Sequence, residues 1–321
     1  MAKVEKKSKS SAKNVRSAES TRMRKVTKKQ AKTKAKKDAH GRQPLPSGFK
    51  LTAQVFKICR EFWKPLGGIV LVYLILNIVF ASGVSSISST VDTIKADLNN
   101  TGIHAHPLFS GASGFLTLVG SSGASSSATG STLQSVLVVV ESLVIIWALR
   151  HLLAGRKISI KQAYYSAMTP LVPFLLVVSF IFLQLLPVVF GSIALSAVAS
   201  SVGTLGGVWS VFFGLILFSL AAWSIYMVSA SIFAIYIVTL PNMKPRDALR
   251  SARNLVKFRR WLIIRRVLFL PLALLVVTGA IIIPLILYVT FLVTPVFYVL
   301  SMLVILFVHA YLYSLYRGLL A

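Results

Sequence analysis

Residues 245–287 read PRDALRSARNLVKFRRWLIIRRVLFLPLALLVVTGAIIIPLIL, and the two halves of that stretch obey different rules. In the first half Ala248, Leu249, Ala252, Leu255, Val256 and Trp261 form one apolar stripe at helical spacing, while Arg246, Arg250, Arg253, Lys257 and Arg260 take the rest of the surface. A helix divided in this way lies in the plane of a membrane interface. In the second half, from Val267 to Leu287, no side chain is charged over 21 residues. At ~1.5 Å per residue that is long enough to cross a hydrocarbon core of about 30 Å.

Working outward, the same kind of apolar run recurs at Leu66 to Ser86, Leu133 to Leu153, Pro170 to Phe190, Val208 to Leu240 and Phe291 to Tyr313, which predicts six spans. The fourth is longer than a perpendicular helix needs, so it is expected to tilt or to continue past the bilayer at its Tyr236 end. Composition agrees: 55% of residues are hydrophobic and only 8 of 321 are acidic, more apolar surface than a water-soluble interior of this size accommodates. The expected fold class is therefore all-α, a polytopic integral membrane protein of six transmembrane helices with amphipathic interfacial helices.

The formal net charge of +27 is concentrated rather than general, since 20 of the 35 Lys and Arg residues precede Leu66. Residues 1–48 are rich in Lys, Ser, Ala and Thr and hold no aromatic side chain, so ordering them would cost conformational entropy without apolar burial to offset it. This segment is expected to be a disordered basic tail, followed by a six-helix membrane domain over 49–321. The first thirty residues show no apolar core before a cleavage site and are not read as a secretory signal. A single cysteine, Cys59, excludes an intramolecular disulfide.

Orientation follows from the connections. The tail, the segment holding Arg150, Arg156, Lys157 and Lys161, the segment from Lys244 to Arg266, and Arg317 all fall on one side, and the opposite side carries only Lys95. Lys and Arg near a span resist translocation, so the basic side is expected to be cytoplasmic, with both termini inside an inner (cytoplasmic) membrane. The exported loop, 87–132, is rich in Ser and Gly with Asp92 and Asp97 near its start, and is expected to be largely irregular. Short connections make the third and fourth spans one helical hairpin, through small residues such as Gly203, Gly206 and Gly207, and the fifth and sixth another.

Each pair of spans is preceded by a basic segment with helical periodicity: Leu51 to Lys64, Ile158 to Met168 and Pro245 to Arg265. Trp63 and Trp261 stand just before their spans, where an indole suits the headgroup layer, and are taken as interfacial anchors. The middle segment, KQAYYSAMTP at 161–170, lacks the Trp. The chain thus divides into three units, each an interfacial helix plus two spans. The alternative is that any loop beside a membrane gathers basic and aromatic anchors.

The stretch from Asp247 to Trp261, with the apolar run behind it, resembles the pre-span motif of a broad bacterial group of six-span proteins. That group includes inner-membrane proteins of undefined role and the membrane domain attached to some glycerophosphodiester phosphodiesterases. The likeness extends over Phe49 to Leu320 and implies a helical membrane module. The catalytic barrel of those phosphodiesterases has no counterpart in this chain, so their activity is not implied.

Catalytic motifs are sparse. No phosphate-binding Gly-rich loop, no His-Glu-x-x-His helix and no Cys-x-x-Cys pair is present, so neither a cofactor nor a metal is expected. Aspartyl chemistry inside the membrane needs two carboxyls sharing a proton, and only Glu141 lies within a span. The motif Gly111-Ala-Ser-Gly114 has the form of the nucleophile motif of rhomboid-type proteases, with His309 on the last span as a base. Ser113 falls in the exported loop, however, and His309 toward the cytoplasmic side, so the pair is separated by most of the bilayer. No catalytic residue is assigned and the chain is read as a non-enzyme.

Glu141 is the residue that most needs an explanation, because an ionisable group in a span costs about 2.5 to 3.5 kcal/mol on insertion scales. Counted from the outer ends of their spans, Asn77, Glu141, Gln184 and Thr278 fall in one layer roughly 9 to 14 Å deep, with Ser219 and Ser301 a little deeper. These four are the candidate intramembrane polar layer, in which a protonated Glu141 is expected to pair with Asn77 or Gln184. As glue, each bond is worth about 0.6 to 2 kcal/mol and fixes which helix faces which. As a relay, the layer would line a cavity for protons or a solute. Pro187, Pro271, Pro284 and Pro295 would kink the spans without breaking them.

The sequence thus points to a non-enzymatic structural or envelope-maintenance component of a prokaryotic membrane, with a transporter or permease subunit for a small or lipid-like solute as the alternative. Expected partners are membrane lipids, with anionic headgroups drawn to the basic tail at about 1 kcal/mol per cation, and a further protein at the membrane. The tail carries no aromatic side chain on which bases would stack, which argues against nucleic acid.

Overall fold

The computed structural model describes residues 46–81, 87–94, 107–121, 128–202, 208–257 and 259–320, so the tail through residue 45, Lys95, Asp97 and the glycines at 203, 206 and 207 lie outside the described residues. Among the described residues the chain consists of helices joined by turns and short irregular links, with no strand. Eleven helices are labelled α1 to α11 below, and 87–94 is helical as well.

Six helices are long and apolar enough to cross a membrane, which makes the chain an all-α, multi-pass membrane protein. They are α2 (Trp63–Ala81), α4 (Ala128–Leu152), α6 (Leu171–Val202), α7 (Val208–Ser231) with its short continuation α8 (Ala234–Val238), α10 (Arg260–Tyr288) and α11 (Thr290–Leu320). The prolines at 187, 271, 284 and 295 lie inside helices that run on past them. The long fourth run neither stays straight nor projects: it turns at residues 232–233, and Phe233, Ala234, Tyr236, Ile237 and Val238 are buried in the bundle. A single residue, Val289, links α10 to α11, with its N–H donating to the Leu285 carbonyl.

The three amphipathic helices are α1 (Gly48–Glu61), α5 (Ile160–Ala167) and α9 (Pro245–Val256). Their starts share one register. Ser47 and Ser159 cap α1 and α5 by accepting from the N–H three residues on, and at α9 Pro245 fills the first position, where no hydrogen bond is lost. The carbonyls of Ser47, Ser159 and Lys244 each accept the first helical bond, from Leu51, Ala163 and Ala248. The residues four and eight after the cap are buried in every copy: Leu51 and Val55, Ala163 and Ala167, Ala248 and Ala252. Such spacing aims one narrow stripe at the bundle.

Each stripe is covered by the pair of spans from the preceding unit. Helix α5 packs on α4 and α2, α9 packs on α7 and α6, and α1 packs on α11 and α10, so the order of contacts closes on itself. The spans follow suit, with α4 against α6, α7 against α10, and α11 against both α2 and α4. The end of the bundle that carries α1, α5 and α9 is called the basic end below.

The loop at 87–132 is not irregular throughout. Residues Pro107–Ser121 form α3, which packs on α10, with Phe115 and Leu118 buried. Phe115 closes to 3.2 Å of where a Cβ on Gly279 would be, a small-to-large fit that hides its ring against the span. Burial of about 2 kcal/mol per large side chain is what the Ser/Gly composition conceals.

Candidate functional site

Glu141 lies at the middle of its span, 11 residues from either end of Gly130–Leu152, and is buried. The helix begins further out than its hydropathy suggests, which moves the carboxyl inward from the shallow layer expected for it. Its partner is neither Asn77 nor Gln184. The Tyr164 hydroxyl, from α5, donates to Glu141 Oε2 at 2.9 Å and lies 3.3 Å from the Ile69 carbonyl of α2. One phenolic proton serves one acceptor at a time, so this hydroxyl sits at a branch point between α2, α4 and α5. Glu141 Oε1 has no hydrogen-bond partner among the described residues. Burial first, and then the Glu141 carboxyl, hold the Tyr164 phenol far above its ordinary range, so it stays a donor at any physiological pH.

Asn77 belongs to a second cluster, on α2 and α11. Tyr298 donates to Asn77 Oδ1 at 2.7 Å, and Asn77 Nδ2 donates to the Tyr73 hydroxyl at 3.4 Å. Tyr73 lies near enough to the Glu141 carboxyl to interact with it electrostatically, so the two clusters adjoin. Gln184 is separate again: its Nε2 donates to Ser231 Oγ at 2.9 Å and its backbone carbonyl accepts from Ser224 at 2.6 Å, tying α6 to α7. Thr278 bonds within its own helix, its hydroxyl donating to the Leu274 carbonyl at 2.8 Å, and Ser301 likewise bonds the Tyr298 carbonyl.

The single layer expected from counting residues is therefore resolved into local clasps. None of Glu141, Gln184, Asn77 and Thr278 is hydrogen-bonded to another of the four among the described residues. Three tyrosines supply what the count left out. An intramembrane Tyr needs a partner for its hydroxyl, and that signal was available at Tyr73 and Tyr298, whereas Tyr164 lay in the segment that departs most from its sister copies.

At the basic end the last turns of α4, α8 and α11 meet. Arg150 donates to the Thr239 carbonyl at 2.7 Å, to the Tyr236 carbonyl at 3.2 Å and to the Thr239 hydroxyl, satisfying acceptors that the end of α8 leaves open. Tyr236 is buried beneath, 3.3 Å from His309 Nδ1 through its hydroxyl and stacked on Tyr316. His309 is thus enclosed in this aromatic knot, while Ser113 is exposed on α3, which packs elsewhere, so the two do not form a nucleophile and base. The two indoles point outward, Trp63 55% and Trp261 81% exposed, which leaves their rings free for the surroundings of the bundle. Compared with family models, with curated proteins and with solved structures, the chain matches none of them.

Proposed function

We propose that this protein is a non-enzymatic, multi-pass component of a prokaryotic cytoplasmic membrane, with both termini inside, whose task is to maintain envelope structure. The observation that supports this reading is how the intramembrane polar side chains are spent. Glu141, Asn77 and Gln184 each bond to a neighbouring helix, through three different pairs: α4 with α5, α2 with α11, and α6 with α7. In a bilayer such bonds act as selectors of helix partners. The basic tail would hold to anionic headgroups, and the likeness of residues 247–261 to the six-span bacterial group fits a membrane module of this kind. The second reading, a transporter or permease subunit, is favoured by one observation, the unpartnered Oε1 of a buried carboxyl.

The test is complementation. Cells lacking the protein are expected to admit more detergent or large antibiotic through the envelope. Glu141→Gln, an isostere that preserves shape and hydrogen bonding, should restore the barrier as wild type does at equal abundance. If the variant accumulates normally yet restores nothing, and proteoliposomes carrying wild type pass protons where E141Q does not, the carboxyl is a relay and the transporter reading replaces this one. Reporter fusions at residues 1, 110 and 321 check the orientation, with activity expected outside only for the middle one.

A further inference from the structure

The groove between α9 and the α6–α7 hairpin holds two arginines in an unusual setting. The Arg253 guanidinium lies over the Phe180 ring of α6, 5.9 Å from its centroid, and that of Arg260 lies over the Tyr226 ring of α7 at 4.8 Å. A guanidinium attracted to a ring still carries five N–H donors, whose planar fork matches two oxygens of a phosphate. Neither arginine forms a salt bridge among the described residues, and from Ser142 to Leu320 the sequence holds one acidic residue, Asp247. That carboxylate is in the first turn of α9, six residues before Arg253, or ~9 Å along the helix. Lys257, Arg259 and Arg265 add positive charge nearby.

The level of the groove fits a lipid headgroup. On α10 the charges stop at Arg266 and the next 22 residues, Val267 to Tyr288, are uncharged, a length of ~33 Å that matches the hydrocarbon. Arg260, six residues before Arg266, stands ~9 Å to the basic side of it along the helix, at the depth of the headgroups. The walls continue downward as exposed apolar side chains: Leu183 lies one turn below Phe180 on the same helix face, and Trp223 lies one turn below Tyr226. A free ion has no use for such walls. An acyl chain does.

We propose that this groove binds one anionic phospholipid, its phosphate held between Arg253 and Arg260 and its chains laid along Leu183 and Trp223. This goes beyond the envelope reading and stands or falls apart from it, since it requires only that the bundle sit in a bilayer. Charge complementarity and the two guanidinium groups over rings distinguish the groove from the stripe of Arg246 and Arg250 on the same helix, both of which are exposed.

The experiment is native mass spectrometry of the full chain titrated with phosphatidylglycerol, phosphatidylcholine or inorganic phosphate. Wild type is expected to retain one phosphatidylglycerol with at least about tenfold preference over phosphatidylcholine and to gain nothing from inorganic phosphate, as lost charge-assisted bonds predict. The R253Q/R260Q variant should lose that preference, and R246Q/R250Q, with the same charge removed elsewhere on α9, should keep it within about twofold. Arg253→Gln alone, at an exposed position, covers the case in which the double variant does not fold, and should weaken binding by about fivefold. Equal losses in the two double variants would mean diffuse attraction, equal retention of phosphatidylcholine would mean no phosphate selectivity, and saturation by inorganic phosphate would mean a free-ion site. Each of these overturns the proposal.

Discussion

At the midpoint of α4 the Glu141 carboxyl faces a single donor, the Tyr164 hydroxyl, and everything about that pair follows from the scarcity of partners in hydrocarbon. Tyr164→Phe removes the donor and leaves a carboxyl with none, so it should destabilise the purified protein by roughly 2 to 3 kcal/mol. Glu141→Gln keeps an acceptor and should cost about 1 kcal/mol or less. In denaturation followed in detergent, the double variant should lose no more than Y164F alone, because the cost there is an orphaned carboxyl; additive losses would mean the two residues do not share a bond. Cys59 offers a pH readout outside the spans. Burial pushes its thiol up from 9.0, so the folded state favours the neutral form. Alkylation of folded protein should therefore lag behind that of a Cys peptide as pH rises through 9, and whatever stability the neutral thiol contributes should be present below that value and lost above the folded one. Of this site, Glu141, Asn77 and Gln184 were legible as polar residues in apolar runs. Their partners were not, because a count along a helix gives depth and says nothing of which face a neighbour presents, and because Tyr164 belongs to no span at all.

Helices α1, α5 and α9 were legible from periodicity and charge, and their position before each pair of spans with them, because an apolar stripe of 3.6 spacing has one meaning beside a span. Helix α3 was not. Its burying residues, Phe115 and Leu118, sit among Ser and Gly, and a composition reading dilutes two side chains that matter with many that do not. Nor was the turn at 232–233, which no proline or glycine announces. What the amphipathic helices need from their seats is closeness, shown at the start of α1. A Cβ on Gly48 would stand 2.9 to 3.2 Å from three atoms of the Phe269 ring, which also meets Phe49 edge-on at 4.9 Å and so has little room to swing away. Gly48→Val should lower stability in detergent by about 1 to 3 kcal/mol through overpacking. Phe269→Leu in the same chain should recover part of that loss, although alone it opens a gap. A G48V/F269L chain as unstable as the sum of the two would show that the ring is not the obstacle.

Over the whole molecule, three like units could be arranged as a row, each amphipathic helix on its own spans, or as a ring, each on the spans of the unit before. Sequence does not distinguish these, because the repeat is the same in both and only contacts between distant residues differ. The packing is the ring: α5 on α2 and α4, α9 on α6 and α7, and α1, from the start of the described chain, on α10 and α11 at its end. The ring leaves no stripe uncovered, whereas the same stagger left open would expose the α1 stripe and leave the α10–α11 pair bare, as the terminal repeats of open arrays are. It also ties the most sequence-distant parts together, which predicts a non-local effect. Deleting residues 46–61 uncovers the basic-end half of α11 and part of α10, while α2, which follows directly in sequence, keeps its contacts with α4 and α11. Hydrogen exchange in detergent should then rise most in the turns of α11 near Tyr311 to Tyr316 and much less at 63–81, because exchange follows the local free energy of opening. A row-like bundle would respond the other way round, with α2 loosened and α11 unchanged.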